Sequence, residues 1–372
     1  MDPPRRPPPA LMEELVEDIL LRLPPDDPAS LVRAALVCKG WRRLVSGASF
    51  RRRFRELHRT PPLLGFLFTS VGGNTRFKPT SSFRFRLPHP IVAPSWRAVD
   101  ARHGRILFYD ADPKARAYTG NSLVVWNPID GEVRRLPRTP LFMFKWSAAL
   151  LCAAAGGGDH LDCDAFRVAV VVTQYGFASA CVYSSEQHAW SPVISVQLLD
   201  VLVTRGCSAV VGNAIYFMCE QRKSPRILEY DLGKKELSVI SLPPGCKERG
   251  IVLMTAKDGG LGFSMVKQSK LYIWSREARP HGDAIWTQQR VIELNKLLSL
   301  SPLLLCPPFV AAVADDVGVV FIKTVVGIFT IDLKSSQVRM LFQGYKHYGV
   351  QDIIPYTSFY TPALGVAFKD EA

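Results

Sequence analysis

Long apolar runs are missing from this chain. No stretch of the 372 residues stays apolar long enough to cross a bilayer, so the sequence predicts no membrane span. Acidic residues are the scarcer charge, 33 against 46 Lys and Arg, for a net charge of +13. The eight cysteines (Cys38, Cys152, Cys163, Cys181, Cys207, Cys219, Cys246 and Cys306) form no CxxC pair and no regular spacing. That argues against a structural zinc site or a dithiol redox centre. Most sit in apolar contexts and are expected to be reduced, which fits cytoplasm or nucleus. Neither HExxH nor GxSxG occurs, and no glycine run has a Walker or dinucleotide-binding form. The sequence therefore predicts no catalytic residue, no cofactor and no bound metal. The opening MDPPRRPPPA lacks an apolar segment behind its arginines, so residues 1–9 read as a disordered Pro-rich tail rather than a secretory signal.

What remains is mostly globular: 48% hydrophobic and 21% charged. Residues 10–58 are patterned for helices. Leu11, Leu15, Ile19 and Leu23 recur every fourth residue, with Val16 and Leu20 beside them, which makes one apolar stripe. Glu13, Glu14, Glu17 and Asp18 crowd the early turns, as the helix dipole favours. Pro24-Pro25 stops the helix. Asp27 as N-cap and Pro28 as first residue start a second helix, read through Cys38, with Gly40 as the interruption before a third face at Trp41, Leu44, Val45 and Ala48. Phe50, Phe54 and Leu57 then follow helical spacing, which puts Arg51, Arg52, Arg53 and Arg55 on a wet side. This basic stretch has no aromatic spaced to stack on bases and no recognisable nucleic-acid module, so nucleic acid is disfavoured as a partner. So short a module cannot bury both sides of three helices. Part of its apolar set must stay exposed until a partner covers it, at about 1.5–3 kcal/mol for each large side chain.

From about residue 60 the helical period gives way to short apolar runs alternating with polar turns. A large apolar residue precedes a turn starter at Trp126-Asn127, Tyr183-Ser184, Tyr230-Asp231, Trp274-Ser275 and Ile331-Asp332. A glycine leads an upstream strand at Gly104, Gly212, Gly260 and Gly318. Four strands repeating at this interval predict a β-propeller over 60–368, six-bladed, with seven as the alternative. Leu63–Ser70 and Asp352–Phe359 are the strands expected to close the ring. The fold class is α+β multidomain: a small three-helix module, then an all-β propeller. The run Asp159-His160-Leu161-Asp162-Cys163-Asp164 holds metal-binding side chains, but consecutive ligands in one loop rarely face one centre, so an exposed acidic loop is expected.

The stretch Leu15–Pro24, with Leu31-Val32-Arg33-Ala34 and Val37-Cys38-Lys39-Gly40-Trp41-Arg42, resembles an F-box. The family usually opens with Leu-Pro, whereas here Leu11 is followed by Met12. Arg76–Phe83, Val99–Leu107 and Val125-Trp126-Asn127-Pro128 resemble the F-box-associated β-propeller of plant F-box proteins. The resemblance implies a substrate-recognition subunit of a Skp-cullin-F-box ubiquitin ligase. Its F-box would dock on an acidic Skp-type adaptor, and through it a cullin. Its propeller would hold a target protein. Adaptor contact is thereby expected at Leu15, Val16, Ile19, Leu20, Leu23, Pro24, Leu31, Val32, Val37 and Trp41. Long segments on the face that carries the links between blades and the second-to-third-strand connections, among them 195–207 and 219–225, make Arg205 and Arg222 candidate target contacts. The alternative is a propeller enzyme or sugar-binding propeller with a helical module. It needs polar groups converging on the channel, and the inner strands carry no repeated Asp, Glu or His.

Overall fold

Four helices lead into a ring of antiparallel sheets in the computed structural model: α1 (Glu13–Leu21), α2 (Pro28–Val37), α3 (Lys39–Val45) and α4 (Ala48–His58). The structure describes residues 12–70, 75–84, 96–110, 122–142, 144–153, 165–246, 250–279, 282–298, 307–343 and 350–362. The tail 1–9 and the acidic run 159–164 lie outside them.

Two local readings of the helices are corrected. The break between α2 and α3 is at Cys38, not Gly40. Cys38 is extended (φ −159°, ψ 166°) and its Sγ accepts the Trp41 amide at 3.4 Å. Gly40 lies within α3. Asp27 stands at the N-cap of α2 and Pro28 opens it, as expected, but the Asp27 side chain makes no capping hydrogen bond. Its carboxylate instead accepts from Ser30 Oγ at 2.5 Å and from Ser82 Oγ, beyond the first propeller strands, at 2.7 Å. Those two bonds, the Ser30 one foremost, hold its carboxyl below the usual range. Leu57, expected on the buried face of α4, is exposed, while Phe50 and Phe54 are buried.

Among the described residues the strands form six sheets, each a blade. Blade 2 runs outward through Trp96–Arg102, Arg105–Asp110, Leu123–Trp126 and Val133–Arg135. Blades 5 and 6 repeat this order, starting from Val252–Thr255 and Phe309–Ala314. Blade 1 closes the ring: the C-terminal Val350–Thr357 is its inner strand and pairs antiparallel with Leu63–Ser70, which pairs with Thr75–Pro79. Joining both ends of the domain in one sheet removes an open edge. The expected glycines lie in the turns between first and second strands, where Gly104, Gly260 and Gly318 end the turn and Gly212 opens it. His103-Gly104 makes a two-residue turn with φ 52° and 72°, a left-handed pair that suits the twist of a hairpin. Trp274-Ser275 is a correction: blade 5's third strand runs on to Arg279, and Ser275 is buried mid-strand.

Apolar side chains from facing sheets fill the space between blades. Leu107, Trp146, Val170 and Tyr183 share one cluster between blades 2 and 3, and Phe66, Phe321 and Ile328 share one between blades 1 and 6. Polar side chains tie neighbours at the inner strands. Asp100 accepts the Leu150 amide at 2.8 Å, Thr173 Oγ1 the Val203 amide at 2.8 Å, and Asp315 the Thr255 amide at 3.1 Å. Each tie satisfies a backbone donor that a sheet-to-sheet contact would otherwise leave unpaired.

Candidate functional site

The geometry of a propeller sorts its loops onto two faces. One face carries the turns between first and second strands and between third and fourth. The other carries the second-to-third turns and the links between blades. Because α4 leads into a second strand, the helices sit on the first face. The contact there is a packed one. Phe359, just past the closing strand, is buried in the same cluster as Val16, Leu20, Leu31, Phe50 and Phe54. Ser82 adds a polar link, accepting the Ala29 amide at 3.2 Å while it donates to Asp27.

The helical module therefore has an inner set and an outer set, and the ten expected contact residues divide between them. Val16, Leu20 and Leu31 are buried in the module's own core, Leu20 only 3% exposed. They pack helix on helix and are not surface as the module stands. Leu23, Val32 and Trp41 are half-buried. Leu15, Ile19, Pro24 and Val37 are exposed, Ile19 at 56% and Val37 at 63%. Leu15 and Ile19 are one turn apart on α1, so they present a single apolar strip. Met12 and Leu36 are also exposed apolar side chains, and sequence reasoning passed over both. For Leu36 the signal was present: it lies one turn beyond Val32, off the Leu31–Ala34–Ala35 face that packs inward. Arg33, Lys39, Arg42 and Arg43 are exposed along the same helices, a basic fringe.

On the opposite face the two arginines behave differently. The inner strand of blade 4 is broken: Val201–Val203 and Ala209–Val211 both pair with Ala214–Gln221, and residues 204–208 bulge between them. Arg205 rides on this bulge. Its Nη1 donates to Tyr109 Oη at 2.6 Å, and its guanidinium lies 4.9 Å from the Tyr109 ring centre and 5.3 Å from that of Trp146. It is thus a strut between blade 4 and blades 2 and 3, with an exposed edge. Arg222 sits on the two-residue turn 222–223 and faces Asp200 at 3.4 Å, both side chains mostly in solvent. The segments 195–207 and 219–225 are not long loops. They hold strands Ile194–Gln197 and Val201–Val203, and the ends of a hairpin, respectively.

The prominent feature of this face was not foreseen. Tyr175 is 90% exposed at the tip of the turn between Phe166–Gln174 and Phe177–Ser184, at φ 51°. A bulky side chain in that left-handed region is an outlier. Leu199, Leu202 and Phe177 are exposed as well. Tyr175, Leu199, Leu202 and Arg222 line one groove of about 680 Å³. The sequence clue was the Tyr175-Gly176 pair between two apolar runs, a hairpin signal with an aromatic where Asn usually stands. No group of three or more His, Cys, Asp or Glu is placed to hold a metal ion among the described residues.

Comparison with known proteins gives two family matches. The family described as F-box protein AT5G49610-like, beta-propeller matches residues 97–364, and the F-box domain matches residues 11–53. No curated protein matches the sequence. Among solved structures the chain is similar to the periplasmic gluconolactonase PpgL of Pseudomonas aeruginosa, at 13% identity and TM-score 0.42 over 75% of this chain and 82% of that one. It is also similar to TolB of Acinetobacter baumannii, at 12% identity and TM-score 0.40 over 82% of this chain and 70% of that one.

Proposed function

Because the chain belongs to the F-box protein AT5G49610-like β-propeller family, with an F-box ahead of the propeller, we propose that it is the substrate receptor of a Skp-cullin-F-box ubiquitin ligase, working in cytoplasm or nucleus. The observation that carries this reading is the placement of two exposed apolar surfaces on opposite sides of one packed body. The strip Leu15–Ile19, with Leu36 and Val37, is the adaptor face, and its basic fringe suits an acidic adaptor. The groove at Tyr175, Leu199 and Leu202 is the target face. The chain itself does no covalent chemistry. It raises the local concentration of target lysines at the ligase's ubiquitin-charged subunit, which is catalysis by proximity.

The test is titration of a purified Skp-type adaptor onto wild-type protein and an Ile19→Asp variant, with target capture by Tyr175→Ala measured in parallel. Ile19→Asp abolishes adaptor binding and leaves capture intact, and Tyr175→Ala does the reverse. Unchanged adaptor affinity in a folded Ile19→Asp protein would sink the adaptor assignment.

A further inference from the structure

The corner that Arg205 reaches on the target face has hydrogen-bond donors and no acceptor to match them. The first two strands of blade 2 meet this face at Arg97 and Tyr109, which stand opposite each other in the pairing. Trp146, near the start of blade 3's inner strand, meets Tyr109 edge-on, the ring centres 5.2 Å apart. Arg205 lies against both rings. Arg97, Tyr109, Trp146 and Arg205 thus share one corner of the channel mouth. Arg97 Nε and Trp146 Nε1 are buried with no hydrogen-bond partner, so two N–H donors of this corner go unanswered. Arg97 as a residue is half-buried and has no ion pair among the described residues. Arg205 gives Nη1 to the Tyr109 hydroxyl and is otherwise exposed.

The charges nearby do not neutralise these two guanidiniums. Lys145, next to Trp146, is exposed and adds positive charge. Asp110 follows Tyr109 and so points to the other side of its strand. Asp352 is exposed on the inner strand of blade 1, opposite blade 4 in the ring, where its charge favours the Lys323 ammonium. Neither carboxylate pairs with Arg97 or Arg205. The adjoining groove is balanced by comparison: Arg222 and Lys223 share its lining with Asp200 and Glu220, around Tyr175, Leu199 and Leu202. The groove therefore selects apolar side chains, and the corner selects an anion. One segment, 199–205, carries parts of both. From Leu202 to Arg205 it advances three residues, at most roughly 10 Å of extended backbone.

We propose that this face takes a short linear segment of the target protein in which one Asp or Glu stands about three residues from a large apolar side chain, the carboxylate on Arg97 and Arg205 and the apolar side chain in the Tyr175 groove. The assignment rests on the reading of this face as the target face. A carboxylate suits the corner because its two oxygens accept from two guanidiniums at once. The Tyr109 and Trp146 rings shield that contact from water on one side, which strengthens it. Asp352, exposed at the same channel mouth, opposes a second negative charge, so a singly charged carboxylate fits better than a phosphate.

The test is panning of the full chain against a displayed library of random linear peptides, then anisotropy titration of the most enriched peptide and of versions with its acid changed to the amide or to phosphoserine. A purified Skp-type adaptor is titrated onto the same protein, which reports on the ligase reading separately. The enriched peptides carry an Asp or Glu about three positions from a large apolar residue. The amide version binds about tenfold or more weaker. Arg97→Gln weakens the acid peptide to the same extent and leaves the amide peptide unchanged, whereas Arg339→Gln, exposed on the outer strand of blade 6, changes neither. Should Arg97→Gln fail to fold, the acid and amide peptides on wild-type protein decide the matter alone. Enrichment of no peptide, or of peptides without an excess of acid, overturns the assignment. So does equal binding of acid and amide, or equal weakening by Arg339→Gln, which would be a general charge effect. A phosphoserine peptide that binds more tightly than the acid peptide overturns the choice of carboxylate. With adaptor binding intact, each of these failures leaves the ligase reading standing.

Discussion

Phe359 meets Phe54 edge-on, the ring centres 6.1 Å apart and the planes at 83°. One ring belongs to the last turn after the propeller's closing strand, the other to α4. The helical module is too small to bury its own interior, and Phe359 completes it from outside. On α4, Phe54 also packs on Phe50 and His58, and His58 Nε2 lies 2.9 Å from the Leu21 carbonyl. The chain therefore folds back on its beginning twice, once by strand pairing and once by this aromatic contact.

Phe359→Ala should cost about 3–5 kcal/mol, the usual range for emptying a buried aromatic site. Hydrogen exchange should rise in α1 and α4 and stay low in the inner strands of blades 3 and 4. Unchanged α4 protection would mean the module stands alone.

Removing residues after Val350 should have a wider effect. It deletes nearly all of the inner strand of blade 1, which pairs with Leu63–Ser70. Both flanking blades lose a packing surface, and Leu63–Ser70 gains an open edge. The expected result is a lower, broader melting transition for the whole ring. A fragment of 60–350 that melts as sharply and as high as the full domain would contradict closure.

Leu20 and Ile19 are neighbours in sequence with opposite surroundings. Leu20→Asp places an unpaired charge in the module core, so several kcal/mol of stability should be lost and adaptor binding with it. Ile19→Asp should change stability by only about 0.5 kcal/mol, because the site is on the surface. Thermal unfolding separates the two. A folded, stable Leu20→Asp protein would show that Leu20 is not core.

The helices and most strands were legible because each follows one period. Leu63–Ser70 falls where its apolar run lies, and Gly104, Gly212 and Gly318 sit in turns at positive φ. The exposed apolar surfaces were less legible. A stripe at helical spacing lists Leu15, Val16, Ile19 and Leu20 together, and only the crossing of α1 over α3 and α4 decides which of them turn inward. The split inner strand of blade 4 was also hidden, since a bulge depends on what its neighbours across the channel offer. Arg205 has Tyr109 and Trp146 there, residues far away in sequence.

Those surroundings separate the two arginines that sequence reasoning had grouped. Arg205→Ala should lose about 1–2 kcal/mol, from one hydrogen bond and a stacked cation. Arg222→Ala should lose about 0–0.5 kcal/mol, because its pair with Asp200 is exposed and screened. Chemical denaturation of each variant checks this. Equal losses would contradict the strut.

Asp315 gives the domain a pH dependence of defined sign. Burial is the main cause that pushes its carboxyl up from 3.8 to about 6, and Arg102 works against that shift. The folded state thus holds this proton more tightly than the unfolded chain. Its contribution to stability is complete below about pH 3.8 and is lost as pH rises through about 6. Above that range the folded protein carries a buried carboxylate with one oxygen unsatisfied. Asp315→Asn keeps an acceptor for the Thr255 amide and removes the charge. The variant should therefore melt higher than wild type at pH 7.5, and the gap should close as pH falls towards 4. Melting curves across that range are the measurement. A gap that stays constant with pH would show that Asp315 is already charged and satisfied in the fold.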